Sequence, residues 1–325
     1  MKKNIRSLKF SDFEKIIEKI EEPTYRAKQI YRWLWKKNVH SFHEMKNISK
    51  RCREHLINNF TITHAKISTQ IKSKDGTMKF LFCLEDGSKC EGVLIPEKNR
   101  VTACISSQVG CSFSCKFCAT GNMKRKRNIM SYEILDQVNL MMDKSYKEYN
   151  MGITNIVYMG MGEPLVNYQN VVDSINYLTS KEALNMSSKR ITVSTVGVAK
   201  MIKKLADEKL KVNLAVSLHS ANNLKRSEIM DINNSNDLES LKESLIYFYS
   251  KTKIKVTYEY VLLNDFNDNI KDAQELIHRQ SGIPLPRSVW SGYTDQHKLG
   301  VQPRTPKNQH HLLVHPSLDA WLPYP

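Results

Sequence analysis

Three cysteines in one short loop are the residues best suited to chemistry in this chain: Cys111, Cys115 and Cys118, in the run CSFSCKFC. Their CxxxCxxC spacing offers thiolates to three irons of a [4Fe–4S] cluster, whereas a closed electron-transfer cluster uses four. The fourth iron is then open to chelate the amino and carboxylate groups of S-adenosylmethionine (SAM), which one electron cleaves to a radical. A zinc site that takes a fourth ligand from a distant His or Cys is the alternative. The spacing favours the cluster.

Polar residues follow three apolar runs further along the chain. The segment MGMGEP (159–164) has glycines that let the backbone approach a ligand, and Glu163 can accept hydrogen bonds from an amine or a ribose. Ser194, and then Ser217 with His219 in SLHS, follow the next two apolar runs. Each alone is typical of a structural residue. Together they favour a site for a small polar ligand.

The secondary-structure elements that must position these residues alternate regularly along the chain. Apolar runs alternate with amphipathic stretches, which predict helices at 131–149, 168–181, 198–208, 238–250 and 269–280. This alternation predicts parallel strands in a (β/α) barrel or an open α/β sheet. Because sites in such folds lie at the C-terminal ends of the strands, we expect the cysteine loop and the polar residues to share one face.

The residues that precede these alternating elements have a pattern typical of helices alone. Ser11 and Glu14 have capping-box spacing at the start of a predicted helix at 11–20. A second helix is predicted after Pro23 and a third at 41–60. Basic residues beside aromatic ones suit nucleic acid, yet aromatic residues at helical spacing are also typical of a core, and both interpretations stay open. The aromatic residues concerned are Tyr25, Tyr31, Trp33 and Trp35.

Composition narrows the class of protein. The 325 residues include 49 Lys and Arg against 33 Asp and Glu, a formal charge of +16 that favours a polyanionic partner, although a basic surface without a partner remains the alternative. No apolar stretch approaches the ~20 residues of a membrane span, and no apolar core follows the basic N-terminus MKKNIRSLKF. Seven cysteines, three of them clustered, fit a reducing compartment. We therefore expect a soluble, cytoplasmic protein.

Four regions are predicted from these patterns. Residues 1–60 form a helical accessory domain, and residues 61–95 form a connecting β segment with turn signals at Asp75-Gly76 and Asp86-Gly87. Residues 96–280 form the barrel. Residues 281–325 hold seven of the ten prolines, four of the ten histidines and no glutamate. We interpret this tail as translated out of frame or fused from elsewhere, with a disordered Pro-rich tail as the alternative.

The run CISSQVGCSFSCKFCATG, followed by MGMGEPL, ITVSTVG and AVSLHS, resembles the RlmN family of radical SAM methyltransferases, over residues 1 to about 278. The resemblance implies an N-terminal helical domain before a partial (β/α)6 radical SAM barrel. It also implies methylation of C2 of an adenosine in the peptidyl-transferase centre of 23S rRNA, and in many members of a tRNA adenosine beside the anticodon. Pro164 favours this family over the related Cfr group, which methylates C8.

The resemblance also implies roles for individual residues. The three loop cysteines would hold the cluster, an electron donor such as flavodoxin would reduce it, and Glu91 would be the base that removes the C2 proton. Cys104 would resolve the covalent RNA intermediate by forming a disulfide with a methyl-carrying cysteine near the C-terminus. The residues expected to contact SAM are Gly162, Glu163, Ser194, Ser217, Leu218 and His219.

One departure from the family pattern limits the expected activity. No cysteine follows Cys118, so the methyl carrier is absent from this sequence, as is the last barrel strand with its SAM-contacting asparagine. We therefore expect the chain to bind the cluster and SAM without completing methyl transfer by the family route. A catalytically inactive SAM- or RNA-binding relative, a Cfr-like enzyme and a zinc-stabilised RNA-binding module are the other interpretations.

Overall fold

Strands and helices alternate along most of the chain in a computed structural model, which describes residues 2–280. The predicted tail, residues 281–325, lies outside the described residues. The α-helices are α1 (Phe10–Lys19), α2 (Tyr25–Trp35), α3 (Lys50–Asn59), α4 (Ser131–Tyr149), α5 (Tyr168–Thr179), α6 (Ala199–Asp207), α7 (Asn223–Ile229), α8 (Leu238–Thr252) and α9 (Ile270–Gln280).

The strands are short, as expected for parallel barrels and small hairpins. They are β1 (Lys3–Asn4), β2 (Phe60–Thr61), β3 (Lys66–Lys72), β4 (Met78–Cys83), β5 (Lys89–Glu97), β6 (Arg100–Cys104), β7 (Gln108–Val109), β8 (Arg127–Asn128), β9 (Asn155–Tyr158), β10 (Ile191–Thr195), β11 (Asn213–Ser217) and β12 (Thr257–Glu259). No helix within residues 2–280 is both long enough and apolar enough to cross a membrane.

Two details of the N-terminal helices differ from the sequence prediction. The helix α1 begins one residue earlier, because the carboxylate of Asp12 accepts a hydrogen bond from the backbone N–H of Lys9 at 2.9 Å. The capping box predicted for Ser11 and Glu14 is therefore wrong. The helix predicted at 41–60 is also too long, since α3 begins only after Ser49, whose side chain accepts from the N–H of Cys52.

The described residues divide into two compact units. The first unit comprises 2–109, 126–161 and 167–191, and the second comprises 110–125, 162–166 and 192–280.

In the first unit the strands follow the order β3-β4-β5-β6-β9. The first three pairings are antiparallel, and β6 pairs with β9 in parallel. Gly76 and Gly87 have φ angles of 90° and 79° in the two hairpin turns, as the Asp-Gly signals predict. Helix α4 packs on one face of this sheet, where a side chain at Gly92 would meet Met141 and Phe82.

In the second unit β10, β11 and β12 are parallel, with β11 in the centre. Helices α6 and α8 pack together through buried leucines, including Leu205, Leu241 and Leu245. Apolar strands and helices that bury one face are what the sequence rhythm predicts, and the parallel pairing is confirmed. Of the polar residues singled out in the sequence, Ser194 lies near the C-terminal end of β10, and Ser217 and His219 lie at the C-terminal end of β11.

Candidate active site

The loop that carries the three cysteines is shaped by two glycines. Gly110 has a φ angle of 78°, a conformation that favours glycine, and a side chain there would collide with the carbonyl of Lys124. At Gly121 a Cβ atom would lie 2.5 Å from the carbonyl oxygen of Cys115. Only glycine permits this approach, so the backbone wraps closely around the cysteines.

The thiols of the loop are held among apolar side chains. Cys115 is buried with Ile229, Met230 and Ile232, and the aromatic rings of the loop pack against the same cluster. Burial, together with the neighbouring thiols of Cys118 and Cys111, raises the pKa of Cys115 to about 12. The thiol of Cys115 therefore favours its protonated form until a cation compensates the charge of the thiolate, as iron would do on binding.

The three cysteine donors are compatible with a cluster. Within residues 2–280, no three His, Cys, Asp or Glu side chains converge to hold a single metal ion. A [4Fe–4S] cluster does not require such convergence, because each cysteine binds a different iron. The donor set and its apolar surroundings therefore suit the cluster.

Glu163 lies fully buried in the second unit, directly after Gly162, whose φ angle is 92°. Its two carboxylate oxygens accept hydrogen bonds from the backbone N–H groups of Leu165 and Val196, each at 2.9 Å. Burial raises the pKa of Glu163 to about 7, although these hydrogen bonds oppose the shift. The side chain thus fixes the glycine turn against the end of β10.

Ser194 and Ser217 lie at the ends of neighbouring strands. The hydroxyl of Ser194 donates a hydrogen bond to the carboxylate of Glu259 at 2.7 Å. Ser217 is the last residue of β11 and is half-buried, while the following Leu218 is buried. The strand ends therefore bring hydroxyl and carboxylate groups together, as a site for a polar ligand requires.

His219 adopts a backbone conformation that is unusual for its residue type, with a φ angle of 54°. Its Nδ1 atom accepts a hydrogen bond from the N–H of Val261 at 3.0 Å. Burial, together with the nearby Arg226, lowers the pKa of His219 to about 3, so the ring is neutral at pH 7. With Nδ1 as an acceptor, the proton resides on Nε2, which becomes the donor. The ring of Phe117 from the cysteine loop meets it edge-on, with centroids 4.4 Å apart.

Two further residues of this site were not found from the sequence. Arg226 is fully buried and donates to the carbonyl oxygens of Val196, Ser217 and Leu218, so it ties together the ends of β10 and β11. Nothing in the sequence around Arg226 distinguishes it from a surface arginine. Glu259 had a usable signal, since it is a single carboxylate within the apolar run KVTYEYVLL.

The two residues expected to act on the substrate, Glu91 and Cys104, belong to the first unit. In the antiparallel pairing of β5 with β6, Cys104 is opposite Val93, two residues from Glu91. Side chains two residues apart share a face, so both lie on the sheet face opposite α4. Glu91 is 34% exposed and forms an ion pair with Lys79 at 2.9 Å, whereas Cys104 is only 4% exposed.

Comparisons with known proteins decide the family. Residues 105–277 match the radical SAM superfamily, and residues 3–62 match the ribosomal RNA large subunit methyltransferase N-terminal domain. A probable dual-specificity RNA methyltransferase RlmN from Cytophaga hutchinsonii is 52% identical over 288 residues, which cover 89% of this chain and 79% of that protein. The chain belongs to the RlmN family of radical SAM RNA methyltransferases.

A more distant relative and a solved structure agree with this placement. The probable RlmN of Thermotoga neapolitana is 43% identical over 284 residues, covering 87% of this chain and 82% of its own length. The crystal structure of a radical SAM methyltransferase from Sphaerobacter thermophilus matches with a TM-score of 0.79 and 34% identity, covering 86% of this chain and 82% of that one. The expected radical SAM α/β fold is confirmed.

Membership of the RlmN family also decides the cofactors. The enzymes of this superfamily use a [4Fe–4S] cluster and SAM, so the cluster is confirmed over the zinc alternative. The expected disulfide has no support, because no disulfide links the cysteines of the described residues.

Proposed function

We propose that this enzyme type methylates C2 of an adenosine in the peptidyl-transferase centre of 23S rRNA, and also C2 of a tRNA adenosine beside the anticodon. The curated relatives carry the name dual-specificity RNA methyltransferase, which supports two classes of RNA. The observation that carries the proposal is the position of Glu91 and Cys104 on one face of the first unit's sheet. A base and a resolving thiol are two of the groups that C2 methylation by this route needs beyond the cofactors, and a methyl-carrying cysteine is the third.

Glu91 is the proposed base. Its carboxylate is accessible enough to reach a substrate proton, and its ion pair with Lys79 fixes the side chain on the sheet face. A base must lie within hydrogen-bond reach of the proton that it removes, so RNA must approach this face. Cys104 is the proposed resolving thiol, and the small exposure of its side chain protects it from other oxidants.

When bound, the cluster and SAM would supply radical chemistry, which methylation of adenine C2 needs because this ring carbon has no acidic proton to exploit. The proposed cluster ligands are Cys111, Cys115 and Cys118. The proposed SAM contacts are the backbone of Gly162 and Glu163, the hydroxyls of Ser194 and Ser217, Leu218, and the Nε2–H of His219. A flavodoxin-like protein is the proposed electron donor, and RNA substrates of this kind imply action in the cytoplasm.

The test is an anaerobic assay with the reconstituted protein, SAM, dithionite and a transcript of the peptidyl-transferase region. Mass spectrometry of the nucleosides distinguishes 2-methyladenosine from 8-methyladenosine, and adenosine labelled with deuterium at C2 must lose the label. A transcript with the target adenosine replaced by guanosine is the control. A C8 product would instead support a Cfr-like enzyme.

A second candidate function rests on the absence of any cysteine after Cys118. Without a methyl carrier the 325-residue chain would cleave SAM and bind RNA but release no methylated adenosine. In the same assay this candidate predicts 5′-deoxyadenosine without a methylated nucleoside, and methylated product would refute it. Sequencing the 3′ end of the gene and translating all frames beyond codon 277 would show whether another frame encodes the carrier.

RNA binding itself has a separate test that follows from the charge of +16. Phosphate contacts release counterions, so the affinity for RNA falls steeply as salt increases. We expect a linear dependence of log Kd on log salt concentration in a filter-binding titration. A flat response would argue against RNA contact through basic residues.

A further inference from the structure

The loop that carries the three cysteines also forms an open groove. One side of the groove consists of Cys111, Ser112 and Ser114, and the other consists of residues 121–125. A hydrogen bond of 3.2 Å from the N–H of Cys111 to the carbonyl oxygen of Met123 joins the two sides. The groove has a volume of about 710 Å³ and belongs wholly to the second unit. A proposed cluster ligand therefore lies in the wall of an open groove.

The rim of this groove is positively charged. Lys124 and Arg125 line it and are exposed, and residues 110–125 contain three basic residues and no acidic one. Within the part of the chain that the structure describes, Lys124 forms no ion pair, whereas Lys225 of the same unit pairs with Asp272 at 2.7 Å. The charge of Lys124 is therefore free to attract a partner of opposite charge.

The side chains of the groove suit a protein better than RNA. Met123 is 50% exposed between the charged residues and the cysteine loop, and methionine and arginine are both enriched in protein interfaces. Surfaces that bind single-stranded RNA use aromatic rings on which bases stack, and no aromatic ring is among the described residues that line the groove. The residues proposed to act on RNA, Glu91 and Cys104, moreover belong to the first unit.

An acidic protein in this groove is placed to deliver an electron. Radical SAM chemistry needs one electron from outside for each SAM molecule that is cleaved. Transfer between proteins slows steeply as the distance grows, so the donor must dock beside a cluster ligand. Cys111 is half-buried and lines the groove, whereas Cys115 is buried among apolar side chains. The groove therefore offers the approach to the cysteine loop.

We propose that the groove lined by Lys124 and Arg125 is the docking surface for an acidic one-electron carrier protein. The two basic side chains pair with carboxylates of the carrier, and Met123 packs against its surface. No bond forms or breaks in this step, since the reduced carrier loses one electron and the cluster held by the loop cysteines gains it. The inference rests on the proposed use of a flavodoxin-like donor and does not depend on which RNA atom is methylated.

The first measurement is binding without electron transfer, by anaerobic titration calorimetry of the cluster-loaded protein with an oxidised, acidic flavodoxin. Lys124→Glu/Arg125→Glu sets carboxylates against those of the carrier, so we expect binding to weaken by at least about tenfold. The matched control is Lys203→Glu/Lys209→Glu, which makes the same change in net charge at exposed lysines outside the groove. This control should bind within about twofold of the wild type, because salt screens distant charges.

The second measurement is the initial rate of 5′-deoxyadenosine formation with each of two donors. With reduced flavodoxin below saturation, the rate of Lys124→Glu/Arg125→Glu should fall by at least about tenfold. With dithionite, a small reductant that needs no docking surface, the rate should stay within about twofold of the wild type. Lys124→Glu alone should show a smaller loss, of about threefold, with flavodoxin only. This single variant decides the test if iron analysis shows that the double variant has lost its cluster.

Three outcomes would overturn the proposal. Equal flavodoxin binding by the wild type and both groove variants would place the docking surface elsewhere. An equal loss of rate with both donors would mean that Lys124 and Arg125 support the cluster rather than a carrier. Weaker RNA binding with unchanged flavodoxin binding would assign the groove to RNA. If the wild type cleaves SAM with dithionite but does not bind flavodoxin, the proposed donor is wrong too, while the proposed methylation reaction is unaffected.

Discussion

Two fully buried arginines, one in each unit, are neutralised in different ways. Arg6 in the first unit forms an ion pair with Asp136 at 2.7 Å, and His64 hydrogen-bonds the same carboxylate. Arg226 in the second unit donates only to neutral oxygens within the described residues, namely three backbone carbonyls and the side chain of Asn233. The first unit balances its buried charge internally, whereas the second holds a cation beside the thiols of the cluster loop.

This difference indicates how each unit is adapted to its task. A buried charge is costly unless it is paired, so an arginine without a carboxylate suits a site that gains negative charge from another source. Burial lowers the pKa of Arg226 to about 10, and the nearby Cys115 thiolate opposes that shift. We infer that the anionic cluster balances the charge of Arg226 in the second unit, whereas the first unit balances the charge of Arg6 with its own Asp136.

The largest effect is expected from removing a ligand of the cluster. Cys115→Ala removes one of three thiolate ligands, so we expect loss of the brown chromophore and of reductive SAM cleavage. The measurements are iron content and 5′-deoxyadenosine formation with dithionite. Cys90→Ala is the matched control, because Cys90 is equally buried but lies in β5 of the first unit. If Cys115→Ala forms as much 5′-deoxyadenosine as the wild type, the cysteine loop does not hold the cluster, and our account of the second unit is wrong.

Replacing each arginine by methionine tests the electrostatic argument directly. Arg6→Met leaves the buried carboxylate of Asp136 without its cation, which costs about 3–5 kcal/mol of unfolding free energy. Arg226→Met leaves neutral carbonyls unpaired, which costs about 1–3 kcal/mol. Urea unfolding of the cluster-free protein measures both. A larger loss for Arg226→Met than for Arg6→Met would contradict our account of the two charges.

The cysteine loop and the strand ends were predictable because their signals are local. CxxxCxxC spacing and polar residues after apolar runs are read directly from the sequence, and so are the Asp-Gly turns. Arg226 acts through contacts made only when distant strands pair, so its role has no local signature, whereas Glu259 is marked only by being a lone carboxylate in an apolar run. The capping box of Ser11 failed because the carboxylate of Asp12 accepts from the N–H of Lys9, which makes Lys9 the N-cap and starts the helix at Phe10. The position of Glu91 beside Cys104 likewise depends on the register of β5 and β6.

A smaller effect is expected from the buried ring of His219. Its pKa is about 3 in the folded protein and about 6.5 when unfolded, so the unfolded state binds a proton first as the pH falls. The contribution of the neutral His219 ring to the free energy of unfolding is therefore fully present above pH 6.5 and is lost progressively towards pH 3. Between pH 6.5 and 5.5 this residue accounts for a loss of about 1 kcal/mol. Urea midpoints at the two pH values measure the loss.

The matched variant for this prediction is His219→Asn, because asparagine tolerates the positive φ angle of this position. Over the same pH interval, the free energy of unfolding of this variant should fall by about 1 kcal/mol less than that of the wild type. Other histidines contribute equally to both proteins and cancel in the comparison. An identical pH dependence for the two proteins would show that the His219 ring is not held neutral by burial.

The smallest expected effect concerns the first unit. Glu91→Gln changes a residue outside the cofactor unit, so SAM binding and 5′-deoxyadenosine formation should stay within about twofold of the wild type. Its ion pair with Lys79 is partly exposed, and such pairs contribute about 0–1 kcal/mol, so stability should change little. The measurement is the initial rate of SAM cleavage with dithionite, with Glu97→Gln at the exposed end of β5 as the control. A large fall in SAM cleavage for Glu91→Gln alone would mean that the two units do not divide cofactor and substrate chemistry between them.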